Sequence, residues 1–242
     1  MQLLNPTKYA IIIYMGNKPS EGYRKHVGKA FDIKTKAFAI LSLLTSVAIT
    51  VFYCVGAIIY RSVWYVALSG YYATMIVFRA ATLLANLKCA VKFRGDEAGA
   101  SLYKWKIFLG SGIFLLVTDI AMSFAIGQLA LGGGTKSSIV MAIGTAVYTF
   151  YKIIMSAVNA VKAGRFADPV TQALRNLNVA AACMSVVSLT AALCATFGNN
   201  VAFNKIMTIA VGGAAILIVL AISIVMTVRA AVNISREKKS IA

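Results

Sequence analysis

Three charged side chains lie inside segments that are otherwise apolar, and they are the residues best able to do chemistry. They are Arg79, Asp119 and Lys152, each the single charge in its segment. An ionisable group near the middle of a bilayer costs at least about 2.5–3.5 kcal/mol on insertion scales, and it normally faces a protein interior or a water-filled cavity. We therefore interpret these three residues as candidates for binding a solute or an ion.

Asp119 has two interpretations. It is either an ion, proton or substrate site, or a structural acid satisfied by Thr118, by Ser123 or by an arginine on another helix. The sequence predicts that its carboxylate lies roughly 18 Å along its helix from the cytoplasmic end. An enclosed carboxylate at that depth is the position on which a functional site would depend most.

Arg79 and Lys152 also have two interpretations. Both are close enough to a helix exit to extend their charged ends to the inner membrane surface. Alternatively, one of them pairs with Asp119, whose predicted depth is similar. Two cations and one acid leave a net positive charge in the core and favour an anionic solute, whereas a neutralised Asp119 favours a proton-coupled step.

Tyrosines accompany these charges along the sequence. A buried phenol needs a hydrogen-bond partner, so tyrosines beside Arg79 and Lys152 could line a polar cavity. The alternative is that they only pack between helices and bond to the backbone. Trp64 and Tyr65, which begin a helix, are expected to anchor the membrane interface. The candidate cavity residues are Tyr72, Tyr148 and Tyr151, with Tyr71 beside them.

Composition defines the class of protein. The 242 residues are 60% hydrophobic and 13% charged, with a mean hydropathy of +0.81, whereas globular chains are about 45–50% apolar and about 25% charged. A membrane helix needs about 20 mainly apolar residues. The sequence therefore predicts an all-α, polytopic membrane protein with six transmembrane helices at about 37–60, 63–87, 107–131, 138–161, 176–197 and 206–228.

The connections predict three helical hairpins. Three of the connections are short, namely residues 61–62, 132–137 and 198–205, and the other two are longer and polar. The chain is thus divided into a basic N-terminal segment (1–36), the transmembrane domain (37–233) and a basic tail (234–242).

The positive charge is unevenly distributed. The chain carries a net charge of +17, and all but three of its 24 lysines and arginines lie on, or lead towards, one side of the predicted membrane; the exceptions are Arg61, Lys136 and Lys205. Cytoplasmic loops carry such an excess. Both termini are therefore expected in the cytoplasm, and the partner is expected to be the bilayer with its anionic inner leaflet rather than a nucleic acid. The basic N-terminal stretch either lies on that leaflet or is a solvated tail that only enforces topology.

An internal repeat is also expected. Ahead of each odd-numbered helix an aspartate follows a basic residue, at Asp32, Asp96 and Asp168. Aspartate is a good N-cap at such a position. Asparagines recur near the ends of the even-numbered helices, at Asn86, Asn159 and Asn233. We interpret these spacings as a parallel, pseudo-threefold repeat about an axis along the membrane normal.

Several kinds of chemistry are excluded by residue types. His26 is the only histidine, which removes histidine-based zinc sites and Ser-His-Asp or Cys-His catalysis. The four cysteines have no C-x-x-C spacing, so they predict neither a metal site nor a disulfide framework. No cofactor, metal site or catalytic residue is predicted, and an intramembrane enzyme is disfavoured because one acid and no histidine leave few acid–base groups.

Two functions stay open from the sequence. The first is a small transporter or channel with a central polar site around Asp119. The second is a non-catalytic membrane subunit or scaffold that binds a partner membrane protein or a second copy of itself. A polar cavity reaching Asp119 would favour the first function, and a dry, sealed core would favour the second.

Overall fold

The computed structural model describes residues 44–93, 97–131, 137–163, 168–198 and 200–241. Residues 1–45 and residues 46–242 form separate units, and nearly all of the first lies outside the described residues. The predicted N-terminal segment (1–36), and the expected caps Asp32 and Asp96, fall outside them as well.

The described chain is helical, and this confirms the predicted all-α class. Five of its helices are long and apolar enough to cross a membrane, as expected for a multi-pass membrane protein, and α1 is a shorter apolar helix in its described part. The helices are α1 (Leu44–Tyr60), α2 (Val63–Lys92), α3 (Glu97–Leu131), α4 (Ile139–Ala163), α5 (Pro169–Phe197) and α6 (Val201–Ile241).

Four helices extend beyond their predicted spans by at least five residues, and α2 does so by ending at Lys92 rather than at residue 87. Helix α3 begins at Glu97 rather than at residue 107, α5 begins at Pro169 rather than at residue 176, and α6 runs from Val201 to Ile241. The added turns are rich in Ala, Glu, Lys and Arg, which are good helix formers in water. A criterion based on hydrocarbon thickness detects only the apolar part of such a helix.

The start of α5 confirms one local prediction. Asp168 is the N-cap, and its Oδ2 accepts hydrogen bonds of 3.2 Å from the backbone N–H and from the hydroxyl of Thr171. Pro169 occupies the first helical position, where its missing N–H costs nothing. Lys104 of α3 adds an ion pair of 3.0 Å to the same carboxylate, so the cap also ties α3 to α5.

Helix packing differs from a set of sequential hairpins. The most extensive contacts join α3 to α6 and α4 to α5, whereas α3 and α4, the predicted middle hairpin, do not pack extensively in the part of the chain described. Helix α5 also contacts α2, α3 and α6. Its buried face is rich in alanine and serine, including Ala173, Ala180 and Ser188, and small residues let helices approach closely.

The connection between α1 and α2 is short, as predicted. It consists of residues 61 and 62, and Arg61 adopts a left-handed backbone conformation with φ of 45°. Trp64 and Tyr65 follow it, but both are buried inside the bundle, and the Tyr65 hydroxyl donates to Ser137 Oγ at 2.9 Å. The prediction that they anchor the membrane interface is therefore wrong, because the face of α2 that carries them points towards the other helices.

Helices α3 and α6 approach closely at Gly112. A Cβ atom there would lie 2.7 Å from Thr227 Oγ1 and 3.2 Å from the Thr227 backbone nitrogen. We expect Gly112→Ala to lower the melting temperature of the purified protein in detergent, because backbone cannot move aside without separating the helices. Gly110→Ala is the control, since a Cβ there meets nothing within 4 Å. Equal melting temperatures for the two variants would contradict this close packing.

Candidate solute-binding site

Two buried cations meet at one hydroxyl group. Arg79 of α2 is 5% exposed and Lys152 of α4 is 3% exposed. Arg79 Nη1 donates to Ser46 Oγ at 3.2 Å, and Lys152 Nζ donates to the same oxygen at 3.4 Å. Because both contact one atom, the two nitrogens lie within about 7 Å of each other, where like charges in a partly dry interior repel.

Arg79 also joins the central helix. Its Nη2 donates to the backbone carbonyl of Leu177 on α5 at 3.1 Å. One guanidinium therefore connects α1, α2 and α5. Arginine can make such contacts because it carries several N–H donors in one rigid plane, which lysine does not.

Lys152 lies against an aromatic ring of its own helix. Its Nζ is 5.6 Å from the centre of the Tyr148 ring, one helical turn earlier on α4. A cation over an aromatic face is attracted by the ring quadrupole, by about 2 kcal/mol or more when desolvated. Tyr148 thus holds the ammonium inside the bundle rather than at a membrane surface.

Three tyrosines form a layer beside the cations. The Tyr53 and Tyr72 rings are stacked with centres 5.6 Å apart, and the Tyr72 and Tyr148 rings meet edge to face at 5.7 Å. The Tyr53 hydroxyl shares a hydrogen bond of 2.9 Å with Ser188 Oγ of α5. The layer therefore brings α1, α2, α4 and α5 together at one level.

The other two phenols of this layer lack a comparable bond. The Tyr72 and Tyr148 hydroxyls lie near each other, but no hydrogen bond of good length and angle joins them. Neither of them, nor the Thr145 hydroxyl, has a hydrogen-bond partner among the described residues, although all three side chains are buried. An unmet buried hydroxyl costs about 1–3 kcal/mol, so these three groups call for an explanation.

Asp119 does not join this group. It is 5% exposed on α3, and no ion pair within the described residues links it to Arg79 or Lys152. Thr118 and Ser123, the suggested neutral partners, donate to backbone carbonyls instead. The carboxylate lies within electrostatic range of Tyr71 on α2, which is also within range of Arg79.

The structure thus gathers four of the six predicted site residues and adds three groups that the sequence analysis missed, one of which is Thr145. Tyr151, half-buried beside Lys152 on α4, acts electrostatically on Tyr148. The other two missed groups, Ser46 and Tyr53, are seven residues apart on α1. The same spacing separates Tyr72 from Arg79 and Thr145 from Lys152, so a seven-residue polar repeat on three helices was the signal that could have revealed them. The gathered cluster consists of Ser46, Tyr53, Tyr72, Arg79, Thr145, Tyr148 and Lys152.

The comparisons with known proteins do not assign this site. No protein-family model, no curated protein and no solved structure matches the chain. The functional argument therefore rests on the chemistry and geometry of the residues.

Proposed function

We propose that the protein is a small membrane transporter or channel whose solute site lies inside the bundle at Arg79 and Lys152. The observation that carries the proposal is that these two buried cations donate to the same Ser46 hydroxyl. Buried charges are expensive, and replacing them by packed apolar residues is often neutral or stabilising. A bundle that only needed to hold together would gain nothing from two such charges.

The position of the cluster supports a solute path. Arg79 lies roughly 24 Å along α2 from Val63, and Lys152 lies roughly 20 Å along α4 from Ile139. Both distances exceed half the thickness of a hydrocarbon core of about 30 Å. A solute that reached the cluster would therefore have crossed much of the membrane.

In this proposal Asp119 serves a second step. It lies on α3, outside the cation cluster, and Tyr71 is within electrostatic range of both Asp119 and Arg79. Protonation or ion binding at Asp119 would then change the field at the cations through a single intervening side chain. The expected cytoplasmic termini and the pseudo-threefold repeat belong to the same proposal and rest on the sequence pattern. Its three hairpins describe only the connections along the chain, since α3 and α4 do not pack extensively in the described part.

The second candidate is a membrane subunit or scaffold for a partner membrane protein or a second copy. The observation in its favour is the long α6, which presents many large apolar side chains outwards, among them Ile209, Leu217 and Val225. Such a face fits lipid and fits another helix equally well. A flux measurement separates the two functions.

The flux test uses the full chain in liposomes. Uptake of radiolabelled chloride and phosphate and of protons, the last followed by a trapped pH-sensitive dye, is compared with that of protein-free vesicles. We expect Lys152→Gln and Asp119→Asn each to reduce flux at least tenfold while the protein stays monodisperse. Arg229→Gln, which removes an exposed cation of α6, should leave flux unchanged. Flux no greater than that of empty vesicles would favour the scaffold.

A further inference from the structure

The Lys152 ammonium is a hydrogen-bond donor with few acceptors around it. The ammonium carries three N–H groups and has no acceptor. Its recorded hydrogen bond, to Ser46 Oγ, is long at 3.4 Å, and its other recorded contact is with a ring face. The ammonium is therefore still able to donate to a further acceptor.

The hydroxyls of Tyr72 and Tyr148, near Lys152, can also donate hydrogen bonds. The Tyr72 and Tyr148 hydroxyls are buried, lie near each other and have no hydrogen-bond partner among the described residues. A phenol can act as a donor or an acceptor. Both hydroxyls could donate hydrogen bonds to one shared acceptor. Because a cation lies beside them, a negatively charged or strongly polar acceptor fits that position best.

The size of the ligand is limited by the rings. The Tyr72 and Tyr148 ring centres are 5.7 Å apart, and Tyr53 stacks on the other face of this pair at 5.6 Å from Tyr72. This packing leaves no room for a lipid headgroup between the rings. A compact anion of one to five atoms is the class of ligand that such close ring packing admits.

Building on the proposed function, we infer that the cluster binds a small inorganic anion, held by the Lys152 ammonium and by the Tyr72 and Tyr148 hydroxyls. The nearby Arg79 adds positive field without having to contact the anion directly. The anion explains why two like charges and two unmet hydroxyls lie in neighbouring layers of the bundle, since an anion between them would attract the cations and accept hydrogen bonds from the hydroxyls.

Binding is tested in detergent by thermal stability, because a ligand that binds only the folded protein raises its melting temperature with a saturable dependence. The protein is prepared in sodium gluconate and titrated with sodium chloride, nitrate or phosphate at constant ionic strength. We expect at least one of these anions to give a saturable rise. In the double variant Tyr72→Phe with Tyr148→Phe, half-saturation should need at least tenfold more anion, and Lys152→Gln should abolish the effect.

The controls separate a site from a general salt effect. Tyr103→Phe, at a half-buried phenol of α3 packed on Phe93, should titrate as the wild type does. In gluconate alone the double phenylalanine variant should melt no lower than the wild type, since it loses hydroxyls that had no partner; this also shows that it folds.

A rise that is equal in all variants, or no rise with any anion, would overturn the inference. Flux that depends on Lys152 without such binding would overturn the anion site and leave the transport proposal standing. Anion binding without flux would overturn the transport proposal and leave the anion site standing.

Discussion

Lys152→Met is expected to make the protein more stable while it abolishes anion binding. In the wild type the ammonium is desolvated and lies within about 7 Å of Arg79, where repulsion amounts to about 2–3 kcal/mol at an effective dielectric constant near 20. Methionine fills a similar volume without charge. The lost contact with the Tyr148 ring, about 2 kcal/mol, offsets part of the gain, and the desolvation penalty of the buried ammonium is also removed. We expect a net stabilisation of about 1–2 kcal/mol.

The measurement is the melting temperature in gluconate buffer, where no small inorganic anion offsets the charge. Lys205→Met, at an exposed lysine of α6, is the control and should change little. A gain in stability together with lost binding is the signature of a residue retained for function at a cost in stability. If Lys152→Met instead melted well below the wild type, Lys152 would be a structural residue and the site would need another explanation.

Ser46→Ala is expected to destabilise the protein by about 2 kcal/mol or more. Its hydroxyl accepts from both Arg79 Nη1 and Lys152 Nζ. Removing one acceptor thus takes a hydrogen bond from each of two buried cations, and hydrogen bonds to charged groups contribute about 1.5–3 kcal/mol. A single hydroxyl thus accepts hydrogen bonds from two buried charges at once.

A double-mutant cycle identifies the cause. Ser46→Ala should cost clearly less in the Lys152→Met background than alone, because one of the two cations that need the hydroxyl is gone. Ser223→Ala is the matched control: that serine is fully buried on α6, but its hydroxyl donates to a carbonyl of its own helix. Additive losses at Ser46 and Lys152 would show that the shared hydroxyl does not couple the two residues.

The residues of the site were more predictable than their arrangement. Arg79 and Lys152 were identifiable because a charge in an apolar helix must face inwards or reach a membrane surface, and Tyr72 and Tyr148 lie one to two turns away on the same faces. Ser46 was missed because a lone serine in an apolar helix usually bonds its own backbone, and only its seven-residue spacing from Tyr53 pointed to it. Which acceptor a buried cation selects depends on helix packing, and apolar composition does not encode that packing.

The fold likewise had one part that the sequence could predict and one part that it could not. Apolar length predicted the six helices that lie in the described residues, five of them long enough to span a membrane, and Asp168 predicted the start of α5. Hydropathy could not predict that α3 packs on α6 rather than on α4. Contacts inside a membrane depend on small residues such as Gly112 and on polar contacts such as Lys104 with Asp168, not on how apolar a segment is.

The short turn at Arg61 limits how the cluster can be entered. With only residues 61 and 62 between them, α1 and α2 cannot part at that end, so any separation must pivot there. Ser46 lies roughly 21 Å from the pivot along α1, and a tilt of only about 8° would therefore widen the gap beside Arg79 by about 3 Å. Such a tilt would open the cations towards the opposite end of the bundle and keep the Arg61 end closed.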